Sequence, residues 1–322
     1  MDNATGFFAV LRKGSAELSA GMKMLRGLRW MLRCMIVGPL MAGLAHAQAS
    51  GFDQGLLWEV RREGTPPSYL FGTMHLADSR LLVLPPAAEV AFRQSRIFVL
   101  ELYPDRAVAQ RFAQASQLDG ESGLDGLLPE PVFGRLVEVM SPRGATPERL
   151  KRLKPWAALL LATTAPGGSG ESLDITLYAR ARMLNKRVEE LDSVEEQIAV
   201  FDSIPMDTQV TLLSAALDRH DALAAEMEEN IQTYLAGDLG GLVRLARRNG
   251  GASAPGQRHQ AVLEKAIIHD RSVVMAYRLQ AYLRRGGAFV AVGALHLYGP
   301  KGMLALLAED GWVVRPVALQ GP

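Results

Sequence analysis

The chain has 322 residues, 48 % of them hydrophobic and 21 % charged, with 31 glycines and 17 prolines. That is enough apolar material for a sizeable core, and it carries neither disordered nor fibrous bias. Its single cysteine, Cys34, sits near the N-terminus, so the chain beyond it has no means for disulfides, thiolate catalysis or cysteine–zinc sites. Of 35 basic and 34 acidic residues, six and two precede residue 48, leaving 29 against 32; no basic patch suits nucleic acid.

The first 47 residues differ in kind. Lys23, Arg26, Arg29 and Arg33 precede and punctuate an apolar run over 34–44, and Ala45-His46-Ala47 supplies a small-x-small cleavage pattern. The run is short for a membrane span and reads as an export signal cleaved after Ala47, with translation starting at Met22 or Met24. The protein is therefore expected to be periplasmic or secreted, with membrane contact only if the signal stays uncleaved. Residues 48–322 show no repeat and are expected to form one domain.

Strand character over 56–62 and 68–72, joined by the turn residues Gly64-Thr65-Pro66-Pro67, predicts a hairpin. Pro85-Pro86 opens a helix over 87–95. Residues 96–102 are the most β-like run, short, branched and apolar, with Glu101 near its end. From about 106 to 271 apolar residues recur at three- and four-residue spacing. Predicted helices cover 106–117, 131–141, 146–153, 155–164, 172–184 and 207–236, with a flexible break at Pro166-Gly167-Gly168-Ser169-Gly170 and a loop over 247–257. Within this stretch 187–191 reads as a short strand, and Ser193 with Glu196 makes a capping box for a helix over 194–202. The end returns to helix (259–285), buried strand (288–293), helix (302–310) and strand (312–318), the spacing of a parallel βαβ pair. The fold class is α/β, with a central mixed sheet formed by the N- and C-terminal segments around a large helical insertion of about 106–271.

Two Gly-x-x-His motifs follow strand-like runs: Gly72-Thr73-Met74-His75 and Gly293-Ala294-Leu295-His296. Glycine permits a sharp turn or a close approach at a strand end, and imidazole is the commonest metal-binding side chain. Two histidines and one carboxylate, here Glu101, form the ligand set of open divalent sites, which serve metal-assisted hydrolysis. Asp78 could orient His75 or cap a helix, and capping is the better reading. Arg271 could grip a substrate carboxylate bidentately, and Lys301 precedes a helix N-terminus, where anions are favoured. His220, His259 and His269 read as surface residues.

Taken together, Trp58, Tyr69-Leu70-Phe71 with the first motif, Leu84-Pro85, Val99-Leu100-Glu101, Lys154-Pro155-Trp156, Glu195-Glu196-Gln197, and Phe289-Val290-Ala291-Val292 with the second motif resemble the TraB/GumN family, whose animal relatives are the Tiki proteins. The resemblance implies a fold related to haem-binding ChaN-like and erythromycin-esterase-like proteins and, on the Tiki branch, peptidase activity with a divalent metal, manganese or cobalt, iron or zinc being alternatives. Carried over, the two motif histidines fall on His75 and His296, the family's glutamate on Glu101 and its basic residue before the last helix and strand on Arg271; the expected site then has His75, Glu101 and His296 as metal ligands, Glu101 and Arg271 as catalytic residues, and, from the reading of the residues themselves, Gly72, Gly293, Asp78 and Lys301 shaping it. The chain departs from the family at Ser272, where asparagine is common, at Asp192, where glutamate is common, and at Leu295, where glycine is common. The expected function is an exported metal-dependent hydrolase acting on a peptide or small molecule. The alternative is a non-catalytic binder of peptide or haem, with either histidine as axial ligand.

Overall fold

A computed structural model describes residues 51–120, 122–164, 172–248 and 253–320; the expected export signal and the break at 166–170 lie outside them. Strands β1 (Leu57–Arg61) and β2 (Ser68–Thr73) form the expected antiparallel hairpin, with Leu57 opposite Phe71 and Val60 opposite Ser68. They join β3 (Ile97–Leu100), β4 (Arg187–Glu190), β5 (Ala288–Gly293) and β6 (Val313–Pro316) in one six-stranded mixed sheet of order β4-β3-β5-β2-β1-β6. The four strands β4, β3, β5 and β2 are mutually parallel. β3 and β5 are buried along their whole length, as strands covered by helices on both faces must be, which is why their sequences run apolar without alternation.

Two details of the sheet differ from the sequence reading. β5 and β6 run in the same direction but are not neighbours: β6 pairs antiparallel with β1 at the sheet edge, separated from β5 by two strands, β2 and β1. The helix Met303–Glu309 between them is an ordinary crossover whose length fixes direction but not adjacency. β4 also enters the sheet from inside the helical stretch, so the sheet is not built from the two chain ends alone.

Phe92, on the helix Pro86–Gln94, meets Phe98 and Phe289 edge-on at centroid distances of 5.7 and 5.4 Å, clamping that helix over the centre of the sheet. A second core lies among helices, where Leu124, Leu136, Leu150, Trp156, Ala158 and Leu213 are buried together. Lys154 and Trp156 both bond Asp202, at 2.8 and 2.9 Å, pinning this core to the helix Val194–Ser203.

Helix boundaries depart where short polar segments intervene. The stretch 207–236 is two helices, Met206–Asp218 and Leu223–Leu235, separated by a 3₁₀ turn, His220–Ala222. The expected loop over 247–257 is shorter, because the helix Leu239–Arg248 precedes it and Ser253 and Pro255 start the helix Ala254–Glu264. That helix passes through a π-helical segment, Lys265–Asp270, into Arg271–Leu283; side-chain spacing alone does not reveal the register change. His220, His259 and His269 are half-buried rather than on the surface, His259 accepting or donating at Nδ1 with the Thr208 hydroxyl at 2.8 Å.

The expected capping box is present: Ser193 accepts from the Glu196 amide and Glu196 accepts from the Ser193 amide. Glu196 also accepts from Arg278, whose Nη1 donates to the Leu191 carbonyl, so one carboxylate ties the helix start to β4 and to the helix Arg271–Leu283. Arg278 and Ser193 hold the Glu196 pKa down to about 2, from 4.5. A lowered carboxylate pKa stabilises above the unfolded value and is lost as pH falls through the folded one. Glu196→Gln is therefore expected to lower the melting temperature at pH 7, with the gap to the parent closing between about pH 4.5 and pH 2; a gap independent of pH in melting curves would refute this role.

Candidate metal centre

β3, β5 and β2 are adjacent and parallel, so their C-terminal ends open on one edge of the sheet, where α/β folds place ligands. Glu101 follows the last residue of β3, Gly293 ends β5, and Thr73 ends β2. His75 comes two residues after β2, and His296 closes a 3₁₀ turn, Ala294–His296, directly after β5. The topology thus brings together three groups that are far apart in sequence.

The two imidazoles converge on one oxygen. Oε1 of Glu101 lies 3.7 Å from Nε2 of His75 and 3.7 Å from Nε2 of His296, and it accepts the Gly293 amide proton at 2.6 Å. Oε2 accepts from Arg271 Nη2 at 2.7 Å. On the far side of each ring, Nδ1 is held by another group. His75 Nδ1 lies 2.8 Å from Asp174 Oδ2, and Asp174 Oδ1 accepts from the Thr73 hydroxyl at 2.7 Å. His296 Nδ1 lies 2.9 Å from the Ser272 hydroxyl, which donates its one proton to the Ile268 carbonyl at 2.7 Å. Ser272 therefore accepts from His296, which fixes the proton on Nδ1 and leaves the Nε2 lone pair facing Glu101.

The charge states follow. Burial is the largest influence on His296 and lowers its pKa to about 4, with the nearby positive charges of Arg271 and His75 adding to the effect; at neutral pH it is a neutral base. His75 is surrounded by protein yet keeps 56 % of its side-chain surface open to a cleft. Desolvation opposes its charge, but Asp174 and Glu101 outweigh that and raise its pKa well above 6.5. Desolvation likewise pushes Glu101 up, and the charged His75 and Arg271 beside it overcome this, holding Glu101 well below 4.5 and ionised.

Arg271 does not offer a free fork to substrate. Its Nη2 serves Glu101, its Nε donates to Asp192 Oδ2 at 2.7 Å, and Nη1 lies 3.4 Å from the Ile267 carbonyl. It is committed to two protein carboxylates because both are nearly dry, at 11 % and 5 % side-chain exposure, and would otherwise be unpaired. Asp78 caps the 3₁₀ turn Ser79–Leu81 and pairs with Arg80; the orienting partner of His75 is Asp174. Lys301 is exposed beside a separate cavity of ≈ 450 Å³ shared with Glu264, His269 and Tyr298, and it is not among the partners of the Glu101 cluster.

The sequence profile of the TraB/PrgY/gumN family matches residues 56–316. The chain belongs to this family. Among curated relatives, the metalloprotease TIKI2 of Danio rerio is 26 % identical, with 92 % of this chain and 69 % of the relative covered. The metalloprotease TIKI1 of Homo sapiens is 25 % identical over 80 % of this chain and 61 % of its own length. The uncharacterized protein YbaP of Shigella flexneri is 24 % identical over 77 % of this chain and 90 % of its own. The chain thus spans about six- to seven-tenths of the Tiki relatives' length. No solved structure matches it.

The metal that the Tiki names imply can be tested against this TraB/PrgY/gumN chain's own donors. Among the described residues, no group of three or more His, Cys, Asp or Glu side chains already stands as a ready ligand cage. The nearest approach is His75, Glu101 and His296, and their chemistry fits a divalent ion. Each Nε2 faces inward while each Nδ1 is oriented by a carboxylate or hydroxyl, the usual outer support of ligating histidines. The 3.7 Å separations are close to the roughly 3–3.6 Å expected between atoms about 2.1 Å from a shared ion. Gly293 completes the fit: a Cβ there would stand 3.2 Å from Glu101 Oε1, 3.4 Å from His75 Nε2 and 3.5 Å from His296 Cδ2. Glycine keeps that hollow open.

Asp174 carries no distinguishing mark in the sequence, and Ser272 is marked only as a departure from the family's asparagine, with nothing to show that it reaches His296. Asp174 looks like an ordinary acid in a helix's first turn, which it also is. Removing Arg271 tests the charge balance. Arg271→Ala leaves Glu101 and Asp192 buried without their cation and should cost about 3–5 kcal/mol of stability at pH 7, measured by urea unfolding; a loss under about 1 kcal/mol would show that the pair is solvated in solution.

Proposed function

We propose that this protein is an exported, divalent-metal-dependent hydrolase that cleaves peptide bonds, with His75, His296 and Glu101 as the metal ligands. The observation that carries the reading is the convergence of two Nε2 atoms on one carboxylate oxygen beside a glycine whose missing side chain leaves room at the same point. The names of the Tiki relatives support metal-dependent proteolysis, and the export pattern of the first 47 residues supports action outside the cytoplasm. Manganese or cobalt is the expected metal, with iron and zinc as alternatives.

When bound, a divalent ion would supply Lewis acidity toward a substrate carbonyl and lower the pKa of water. The residues of the chain do the rest. Asp174 and Ser272 hold the Nδ1 atoms of the two rings so that both Nε2 atoms point inward. Arg271, held by Asp192, keeps Glu101 ionised and immobile. A carboxylate so acidic and so fully bonded is a poor proton acceptor, which favours the ligand role of Glu101 over that of general base. His75 gives the centre its opening, because its ring alone of the three is exposed to the cleft. The haem alternative is disfavoured by the same carboxylate, which stands 3.7 Å from each Nε2 where a porphyrin plane would need to lie.

The test is metal content by mass spectrometry of the untagged protein beginning at Gln48, after reloading with manganese, cobalt, iron or zinc, followed by a peptide-cleavage screen. One equivalent of metal is expected. His75→Ala, His296→Ala and Gly293→Ala should each lower occupancy at least tenfold, with thermal melting confirming that each variant is folded. Full occupancy in His75→Ala or Gly293→Ala would sink the shared centre.

A further inference from the structure

Beside the centre, a cavity of ≈ 340 Å³ takes His75 as part of its wall. The rest of that wall comes from both cores. Met74 and Leu76 follow β2 and pack on the sheet core, Ala162 belongs to the helical core, and Ala216, Leu223 and Met227 come from the two helices Met206–Asp218 and Leu223–Leu235. The charged groups lining it are each already paired within the protein: Arg219 Nε lies 3.3 Å from Glu226 Oε1, and His75 lies against Asp174 and Glu101, while Asn230 donates its amide to the Glu226 backbone carbonyl at 2.8 Å. Thr163, Ala216 and Arg219 also line a second, apolar cavity of ≈ 280 Å³ floored by Trp156, Phe201 and Leu212, so the apolar wall continues away from the centre.

We infer that this cavity is the specificity subsite of the proposed peptidase: it seats an uncharged, apolar side chain of the peptide next to the bond presented to His75, Glu101 and His296. The inference rests on the peptidase reading of the centre. Three features select that occupant. Six of the wall residues are methionine or aliphatic, which reward apolar burial and adapt to shape. The charged groups of the wall already have protein partners, so a charged side chain would be desolvated without one of its own. The imidazole of His75 is shared between cavity and centre, so a residue seated here carries its neighbouring peptide group to the ligands. Ala162 and Ala216 set the size limit, because a larger residue at either would fill the space.

The test separates this inference from the catalytic one by reading binding without turnover. Capped, fluorescent nonapeptides with four glycines on each side of a central Phe, Leu, Gly or Asp are titrated onto the metal-free protein. The Phe and Leu peptides should bind at least tenfold more tightly than the Gly and Asp peptides. Ala216→Trp, which fills the cavity, should erase the difference, and Met227→Asp, on a half-exposed wall position, should weaken the Phe and Leu peptides at least fivefold and leave the Gly peptide unchanged, with thermal melting confirming that each variant is folded. Equal binding of all four peptides, or a preference that survives both variants, would overturn the subsite. A preference that behaves as expected in a protein that binds metal and cleaves none of the peptides would leave the subsite standing and refute the peptidase reading instead.

Discussion

Everything at the sheet edge depends on keeping one negative charge ionised in a nearly dry place. Glu101 sits at the end of a fully buried strand with 11 % of its side chain exposed. The cost of that burial is offset by the Arg271 guanidinium, the Gly293 amide and the charged His75 imidazole, because a buried ion is tolerated only where it is paired and hydrogen-bonded. Arg271 in turn needs Asp192 to share its charge and hold its plane. The chain of carboxylate, guanidinium and carboxylate ties β3, the turn after β4 and the helix Arg271–Leu283 to one point, so site and fold are stabilised by the same contacts.

The sheet supplies the geometry that this charge needs. Parallel neighbours end at the same level, and the order β3-β5-β2 places the three strand ends side by side. Gly72 and Gly293 then serve close approach rather than an unusual backbone angle. A Cβ at Gly72 would meet Leu297 Cδ1 at 2.9 Å and Ala294 Cα at 3.1 Å, so the turn after β5 can lie against the end of β2 only if residue 72 has no side chain. The first glycine lets the two motifs touch, and the second leaves the hollow between their histidines.

Much of this was legible because it rests on local pattern. Strand runs ending in Gly-x-x-His, an out-of-place glutamate on an apolar run, and the capping box at Ser193 are each written within a few residues. What was not legible depends on contact across the fold. The pairing of β6 with β1 instead of β5 is decided by the hairpin filling the space beside β5. Asp174 meets His75 across 99 positions, and Arg271 meets Glu101 across 170; neither spacing has a periodicity to read. Arg271 looked like a hand held out to substrate, since a sequence shows a guanidinium but not the two buried carboxylates that already occupy it.

Two of the three departures from the family pattern, Ser272 and Asp192, fall on groups that orient the site rather than on its donors. Ser272 reaches His296 Nδ1 with a hydroxyl whose own proton is committed to Ile268, so it can only accept, and it fixes the same tautomer that a side-chain amide oxygen would fix. Asp192, shorter than glutamate by one methylene, still meets Arg271 Nε at 2.7 Å. Both lie beside the π-helical segment Lys265–Asp270 or against the residue that follows it. Such segments widen a helix locally and recur at functional sites. Here it sits immediately before Arg271 and Ser272, so a shift of the backbone at this point and the reach of the shorter side chains act on the same distance. Conserving the position of a donor does not require conserving the residue that holds it, provided the distance and the direction of the proton are kept.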